Sequence, residues 1–195
     1  MPNWPGGGWA VLERWRRAAA VAQPDEDAVA RLYRIAERRL AAAGYRHYEI
    51  ANWARPGKRC LHNLGYWRNE DWLGVGAGAH SHLAGVRSRQ PGDLRSYLAG
   101  LDGGARRIVD DRADPASDTA MLALRLDDGL DLARYRSRCG AAAAARVDRA
   151  LRSLDGTRLL RWSGPRVRLT ARGRLLANEV FLRLLPEPAA EASVP

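Results

Sequence analysis

At 195 residues and 46% hydrophobic side chains, the chain can bury one ordinary core or two small ones. Its formal charge of +10 rests on 32 basic residues, of which only Lys58 is a lysine, and no run of about 18 apolar residues is available to span a membrane. The first residues, "MPNWPGGGWAVLERWRR", lack the layout of a signal peptide, and two distant cysteines, Cys60 and Cys139, exclude a disulfide framework and fit a reducing cytoplasm. The preference for arginine, with abundant Ala, Gly, Leu and Pro, looks like a codon bias, so charge alone is weak evidence for nucleic acid. Arginine does pair well with phosphates and carboxylates.

In chain order, residues 1–23 show no clean period and read as an irregular segment. From Pro24 the pattern sharpens, with Val29, Leu32, Ile35, Ala36 and Leu40 on one helical face, acids in the first turn and Gly44 as a stop. "YRHYEIAN" (Tyr45–Asn52) reads as a strand, and a helix feeding a strand suits a barrel or a doubly wound sheet. Residues 53–70 read as loop, because Pro56, Gly57, Asn63, Gly65 and Asn69 are breakers. A second strand, "WLGVGAGAHSHL" (Trp72–Leu83), follows, then a helix near 91–101 and a linker over 102–114. Beyond the linker the pattern predicts helices at 115–126, 130–138 and 141–155, a hairpin over 158–170 turning at Ser163-Gly164-Pro165, and a helix at 171–185. Three helices, a hairpin and a closing helix resemble a winged-helix module. The polar tail 186–195 reads as disordered.

Three of the four histidines and one cysteine fall between Cys60 and Leu83. If 72–83 is a strand, Gly74, Gly76, Gly78, His80 and His82 share a face, and three bare positions let something approach the backbone. That something is either a flat ligand or another stretch of backbone. The run is not a dinucleotide fingerprint, because no helix opens after Gly78. In "RPGKRCLHNLGYW", His62 could ligate haem iron while Tyr66 and Trp67 flank a porphyrin plane, with the Cys60 thiolate as alternative ligand. Equally, His62 and Asn63 could bond loop backbone while the aromatics plug a barrel end.

The stretch from Pro24 to Leu83, with "MLALRLDDGLDLARY" and "RVRLTARGRLLANEVFLRLL", resembles the HemW-type radical SAM haem chaperones, relatives of oxygen-independent coproporphyrinogen III oxidase. The specific part is the HNxxYW motif, here His62, Asn63, Tyr66 and Trp67, which in that family marks the haem-binding branch. The resemblance implies an α/β plus α+β fold. Residues 24–101 would be the last helix–strand units of a partial (β/α) radical SAM barrel, and 115–185 a winged-helix-like HemN C-terminal domain. It implies haem as cofactor, with His62 as favoured iron ligand, and an S-adenosylmethionine edge at Gly76, Ala77 and His80. It also implies haem-acceptor proteins as partners.

The family's barrel opens with a CxxxCxxC loop whose three thiolates hold a [4Fe–4S] cluster. This chain has two cysteines and reads as the C-terminal half of such a protein, so no activity is expected of it alone. S-adenosylmethionine and the cluster would enter only if an upstream-encoded N-terminal half supplied the rest. The favoured function is therefore haem binding and trafficking, with a split enzyme subunit as the alternative. A winged-helix nucleic-acid binder ranks third, resting on Arg146, Arg149 and Arg152 as a helix stripe and on Arg166 and Arg168 in the wing.

Overall fold

The computed structural model describes residues 25–102, 107–109 and 114–186. In chain order these form α1 (Glu26–Ala42), β1 (Arg46–His47), β2 (Trp53–Ala54), α2 (Leu61–Trp67), β3 (His80–Leu83) and β4 (Val86–Arg89). Then come α3 (Leu94–Asp102), β5 (Ile108–Val109), α4 (Pro115–Arg125), β6 (Leu130–Asp131) and α5 (Leu132–Cys139). The last are α6 (Ala141–Arg152), β7 (Leu160–Ser163), β8 (Arg166–Leu169), α7 (Ala171–Leu175) and α8 (Ala177–Leu182). The expected irregular segment 1–23 and all but the first residue of the expected tail lie outside the described residues.

The chain divides into two compact units, and the division is not the sequential one expected. Residues 44–70 group with the C-terminal part, while 71–112 group with the N-terminal part. In the first unit, Asp25 caps α1 by accepting from the Ala28 amide at 2.6 Å. The predicted apolar stripe is there, but Val29 is 51% and Leu32 61% exposed, and α1 buries no residue. A three-stranded antiparallel sheet has the order β3-β4-β5. Its β3–β4 hairpin turns at Ala84-Gly85, both at positive φ, as a two-residue hairpin requires, and Asp71 accepts from the Ala84 amide at 3.0 Å. The pair β4–β5 places a strand inside the expected linker.

Two expectations fail in this region for backbone reasons. The strand over 72–83 is regular only from His80. Gly76 and Gly78 have φ of +109° and +71° and form a turn, so the alternation that placed three glycines on one face does not exist. Gly74 is bare because a Cβ there would lie 1.9 Å from the carbonyl oxygen of His80, so it is backbone that fills its space. The strand expected over 45–52 is regular only at β1, which turns back through Tyr48 N donating to Asn52 O at 3.2 Å and pairs antiparallel with β2, inside the stretch expected as loop. Every named strand pair among the described residues is antiparallel, so the parallel barrel sheet expected within 24–101 is not present among them.

The second unit holds the core. Leu124, Val147, Leu151, Val167 and Val180 are fully buried, with Tyr135 and Leu184 beside them, drawn from α4, α5, α6, β8, α8 and the turn after it. The predicted hairpin forms as β7–β8, and β6 pairs with β8 to give the order β6-β8-β7. Sequence reading missed β6 because its two residues pair with a strand far along the chain. The closing helix expected over 171–185 is broken into α7 and α8 at Leu176, which is 41% exposed.

Helix α4 starts with a cap that ties three segments together. Asp114 accepts from the Ala116 amide (3.1 Å) and the Ser117 hydroxyl (2.6 Å) and pairs with Arg146 (2.9 Å). Partial burial pushes the Asp114 carboxyl up, but the bonds from Ser117 and Ala116 and the charge of Arg146 outweigh this and hold it below 3.8. A lowered folded value means the group stabilises the fold above its unfolded pKa and loses that contribution as pH falls through the folded one. Asp114→Ala should cost about 0.5–2 kcal/mol at neutral pH. In thermal melts the gap to the parent should close as pH drops below the ordinary carboxylate range; a gap independent of pH would contradict this role.

Candidate functional site

The HNxxYW motif forms α2, a helix where the breakers Asn63 and Gly65 predicted loop. Its one buried side chain is Leu64, which packs with Tyr48, Ala54 and Leu126. Its C-terminal end is held from far along the chain: Arg138 donates Nη1 to Arg68 O at 2.9 Å and Nη2 to Asn69 O at 2.7 Å. The buried Asn69, at φ +53°, donates to the Thr119 hydroxyl at 3.1 Å. The open carbonyls of the helix end itself are taken by backbone amides, Arg68 N on Leu64 O, Glu70 N on Gly65 O and Asn69 N on Tyr66 O, and the side-chain bonds fix the turn that follows.

On this scaffold the four motif residues divide between two directions. His62 is exposed. Its Nε2 lies 3.1 Å from the Tyr66 hydroxyl one turn on, with the rings edge to face at 4.7 Å. Asn63 instead donates inward, to the Tyr48 hydroxyl at 3.2 Å. Trp67 is half-buried, and the Arg125 guanidinium lies 4.5 Å from its ring centroid and 6.0 Å from that of Phe181. Burial draws the Arg125 guanidinium below its ordinary value, and the Glu49 carboxylate, fully buried and 3.9 Å away, opposes that shift. Thus His62 and Tyr66 are presented, whereas Asn63 and Trp67 anchor.

Cys60 is an exposed thiol at the N-cap position of α2. Among the arginines flanking the motif, Arg55 lies over the Tyr45 ring at 5.3 Å, Arg59 pairs with Asp128 at 3.3 Å, and Arg68 is 4.0 Å from Glu70. Gly76, Ala77 and the exposed His80, expected at an S-adenosylmethionine edge, belong to the other unit. Of the arginines expected for nucleic acid, Arg146, Arg152 and Arg166 have partners within the fold, while Arg149 is exposed. Arg146 binds Asp114, Ser117 and Leu184 O; Arg152 pairs with Asp148 at 3.0 Å over the Trp162 ring; and Arg166 pairs with Asp131 at 3.1 Å.

Sequence reading missed a cleft of about 510 Å³ in the second unit, lined by Trp67 and Arg68 from the end of α2 and by residues of α4, α5 and β8. Only the spacing of Arg134 and Arg138, one turn apart on α5, could have hinted at it. Among the described residues no group of three or more His, Cys, Asp or Glu could hold a metal ion, and no helix is long and apolar enough to cross a membrane.

Residues 110–176 match the family model described as the HemN C-terminal domain. The protein named "Heme chaperone HemW" from Mycobacterium tuberculosis (strain CDC 1551 / Oshkosh) is 40% identical over 182 residues, covering 91% of this chain and 44% of that protein. The protein of the same name from Bacillus subtilis (strain 168) is 31% identical over 176 residues, covering 84% and 44%. The solved structure titled "Coproporphyrinogen III oxidase (HemN) from Escherichia coli is a Radical SAM enzyme" superposes with a TM-score of 0.59 at 20% identity, over 77% of this chain and 39% of that one, a likeness of fold alone. The domain is thus of the HemN C-terminal type. The chain belongs to the HemN/HemW family, and it spans less than half the length of these curated relatives.

Proposed function

We propose that the protein binds haem through α2 and hands it to acceptor proteins, with His62 as axial ligand, Tyr66 beside it, and Asn63 and Trp67 fixing the helix. The observation that carries this is the exposed His62 imidazole on a helix pinned at its far end, with its Nε2 3.1 Å from the Tyr66 hydroxyl. The donor chemistry fits haem iron, which takes imidazole readily, and the exposed Cys60 thiol is the alternative ligand. Haem would supply the iron; the chain supplies the ligand and its orientation. Free thiols at Cys60 and Cys139 suit a cytoplasmic site. The residues do not fit an iron–sulfur cluster, which needs three thiolates where the chain has two.

The test is optical. Haem added to the full chain should give a Soret band displaced from that of free haem, and His62→Ala should abolish or shift it. Cys60→Ser should matter only if thiolate competes for the iron, and His47→Ala should do little. A band indifferent to His62→Ala returns this helix to a purely structural role.

A second reading is a subunit of a larger radical SAM assembly. Residues 24–101 would then be the last units of a (β/α) barrel, with Gly76, Ala77 and His80 at its S-adenosylmethionine edge. It is favoured by the first unit's exposed Leu32, Leu94 and Leu98 and by its lack of a buried hydrophobic cluster among the described residues. Co-expression with a polypeptide equivalent to the remainder of the HemW relatives should then yield a stable complex carrying the cluster. The order α4, β6, α5, α6, β7, β8, with β6 paired to β8, supports a winged-helix module. The inward commitment of Arg146 argues against its use on nucleic acid.

A further inference from the structure

Strand β7 is the outer strand of the sheet β6-β8-β7. In an antiparallel ladder, alternate residues exchange both backbone bonds with the neighbouring strand, and the residues between them point theirs away. Thr170 N donates to Leu159 O at 2.9 Å, which sets the phase, so Arg161 and Ser163 face β8. Leu160 and Trp162 therefore each direct an amide and a carbonyl to the outer edge, and among the described residues nothing takes them. Such a row is a template for another extended segment. The side chains beside it are unbalanced in charge. Arg161 lies directly opposite Arg168, a like-charge pair that weakens a sheet, and neither makes an ion pair with any described residue. Asp131, on the same face, is used by Arg166 at 3.1 Å. Asp155 accepts from the indole of Trp162, one residue along β7 and so on the opposite face. Arg168 is held in place: a Cβ on Gly129 would lie 2.6 Å from its Cγ, and its Nε is shielded from water with no acceptor among the described residues.

We propose that the β7 edge takes an extended acidic segment of a partner protein as a fourth strand, with a carboxylate beside Arg161 and apolar side chains beside Leu160 and Trp162. Main-chain bonds to the open edge supply affinity, and the alternation of side chains supplies selectivity. Charge complementarity selects the partner: an acid opposite Arg161 turns a repulsive face into an attractive one, and arginine's planar fork suits a carboxylate. A second copy of this chain fits poorly, because antiparallel pairing of β7 with itself brings the arginines of both copies onto one face. The inference is independent of the haem reading.

The probe is a fluorescein-labelled peptide of alternating Glu and Val, titrated into the full chain and followed by fluorescence anisotropy. Saturable binding is expected, and Arg161→Glu should weaken it about tenfold. Arg161→Gln should weaken it in the same direction by less. Arg161 is exposed with no partner to lose, and Arg161→Glu sets a carboxylate opposite Arg168, so both variants should melt no lower than the parent. The same peptide N-methylated at every residue keeps its charges but has no amide donors, and it should not bind. Absence of saturable binding, equal affinity in Arg161→Glu, or retained binding of the N-methylated peptide overturns the proposal. Tighter binding of a single-stranded oligonucleotide of equal charge also overturns it, in favour of a phosphate-binding wing. So does elution of the parent as a dimer that does not take up the peptide, which would give the edge to a second copy.

Discussion

Arg125→Ala is expected to lower the free energy of unfolding by about 3–5 kcal/mol, because it strands a buried carboxylate. Glu49 is only 1% exposed; its Oε1 accepts from the Ala51 amide and from Asn52, and Oε2 has only the Arg125 guanidinium opposite. The same substitution removes the cation from the Trp67 and Phe181 rings, contacts that contribute about 0.5–2 kcal/mol each when desolvated. Against a total stability of about 5–15 kcal/mol the loss is large, and urea denaturation should show it directly. Replacing both partners, as Glu49→Leu with Arg125→Met, should recover much of the loss, since two apolar groups leave no charge unpaired. A loss below about 1 kcal/mol for Arg125→Ala would mean that water already reaches Glu49.

Leu151→Ala should cost about 2–5 kcal/mol, the range for opening a cavity in a well-packed core. The residue is fully buried on α6 among Leu124, Val147 and Val180. Leu61→Ala provides the control. Leu61 is 79% exposed on α2, so its truncation should change stability by no more than about 0.5 kcal/mol. Comparable losses for the two variants would place the core elsewhere.

What could be read from the sequence was what local pattern determines. Helices α1, α3, α4 and α6 carry their periodicity within their own residues, the first three with an aspartate cap just ahead of them, and the β7–β8 turn is marked by Gly164 and Pro165. What could not be read depends on partners distant in sequence. Helix α2 is seven residues long and contains Asn63 and Gly65, so propensity argues against it. It forms because Tyr48, Leu126, Thr119 and Arg138 supply its contacts. The glycine run misled for the opposite reason. Alternation presumes extended backbone, and positive φ at Gly76 and Gly78 removes that premise. At the candidate site, the motif residues were legible, but their division into presented His62 and Tyr66 and anchoring Asn63 and Trp67 was not. The cleft was invisible because its lining residues, Trp67 and Arg134 among them, come from segments far apart in sequence.

The grouping of 44–70 with the C-terminal segment also sets an order in time. Arg138 follows Asn69 by 69 residues, so at about 5–20 residues per second a ribosome needs on the order of 3–14 s to deliver the side chain that holds the end of α2. Throughout that interval the nascent chain exposes His62 and Cys60 on a segment whose fastening contacts have not yet been made. A haem encountered then meets two free donor groups rather than a shaped site. On the proposed haem role, loading would therefore follow the emergence of Arg138 from the ribosome, and synthesis in haem-rich cells would expose the chain to premature capture by the thiol.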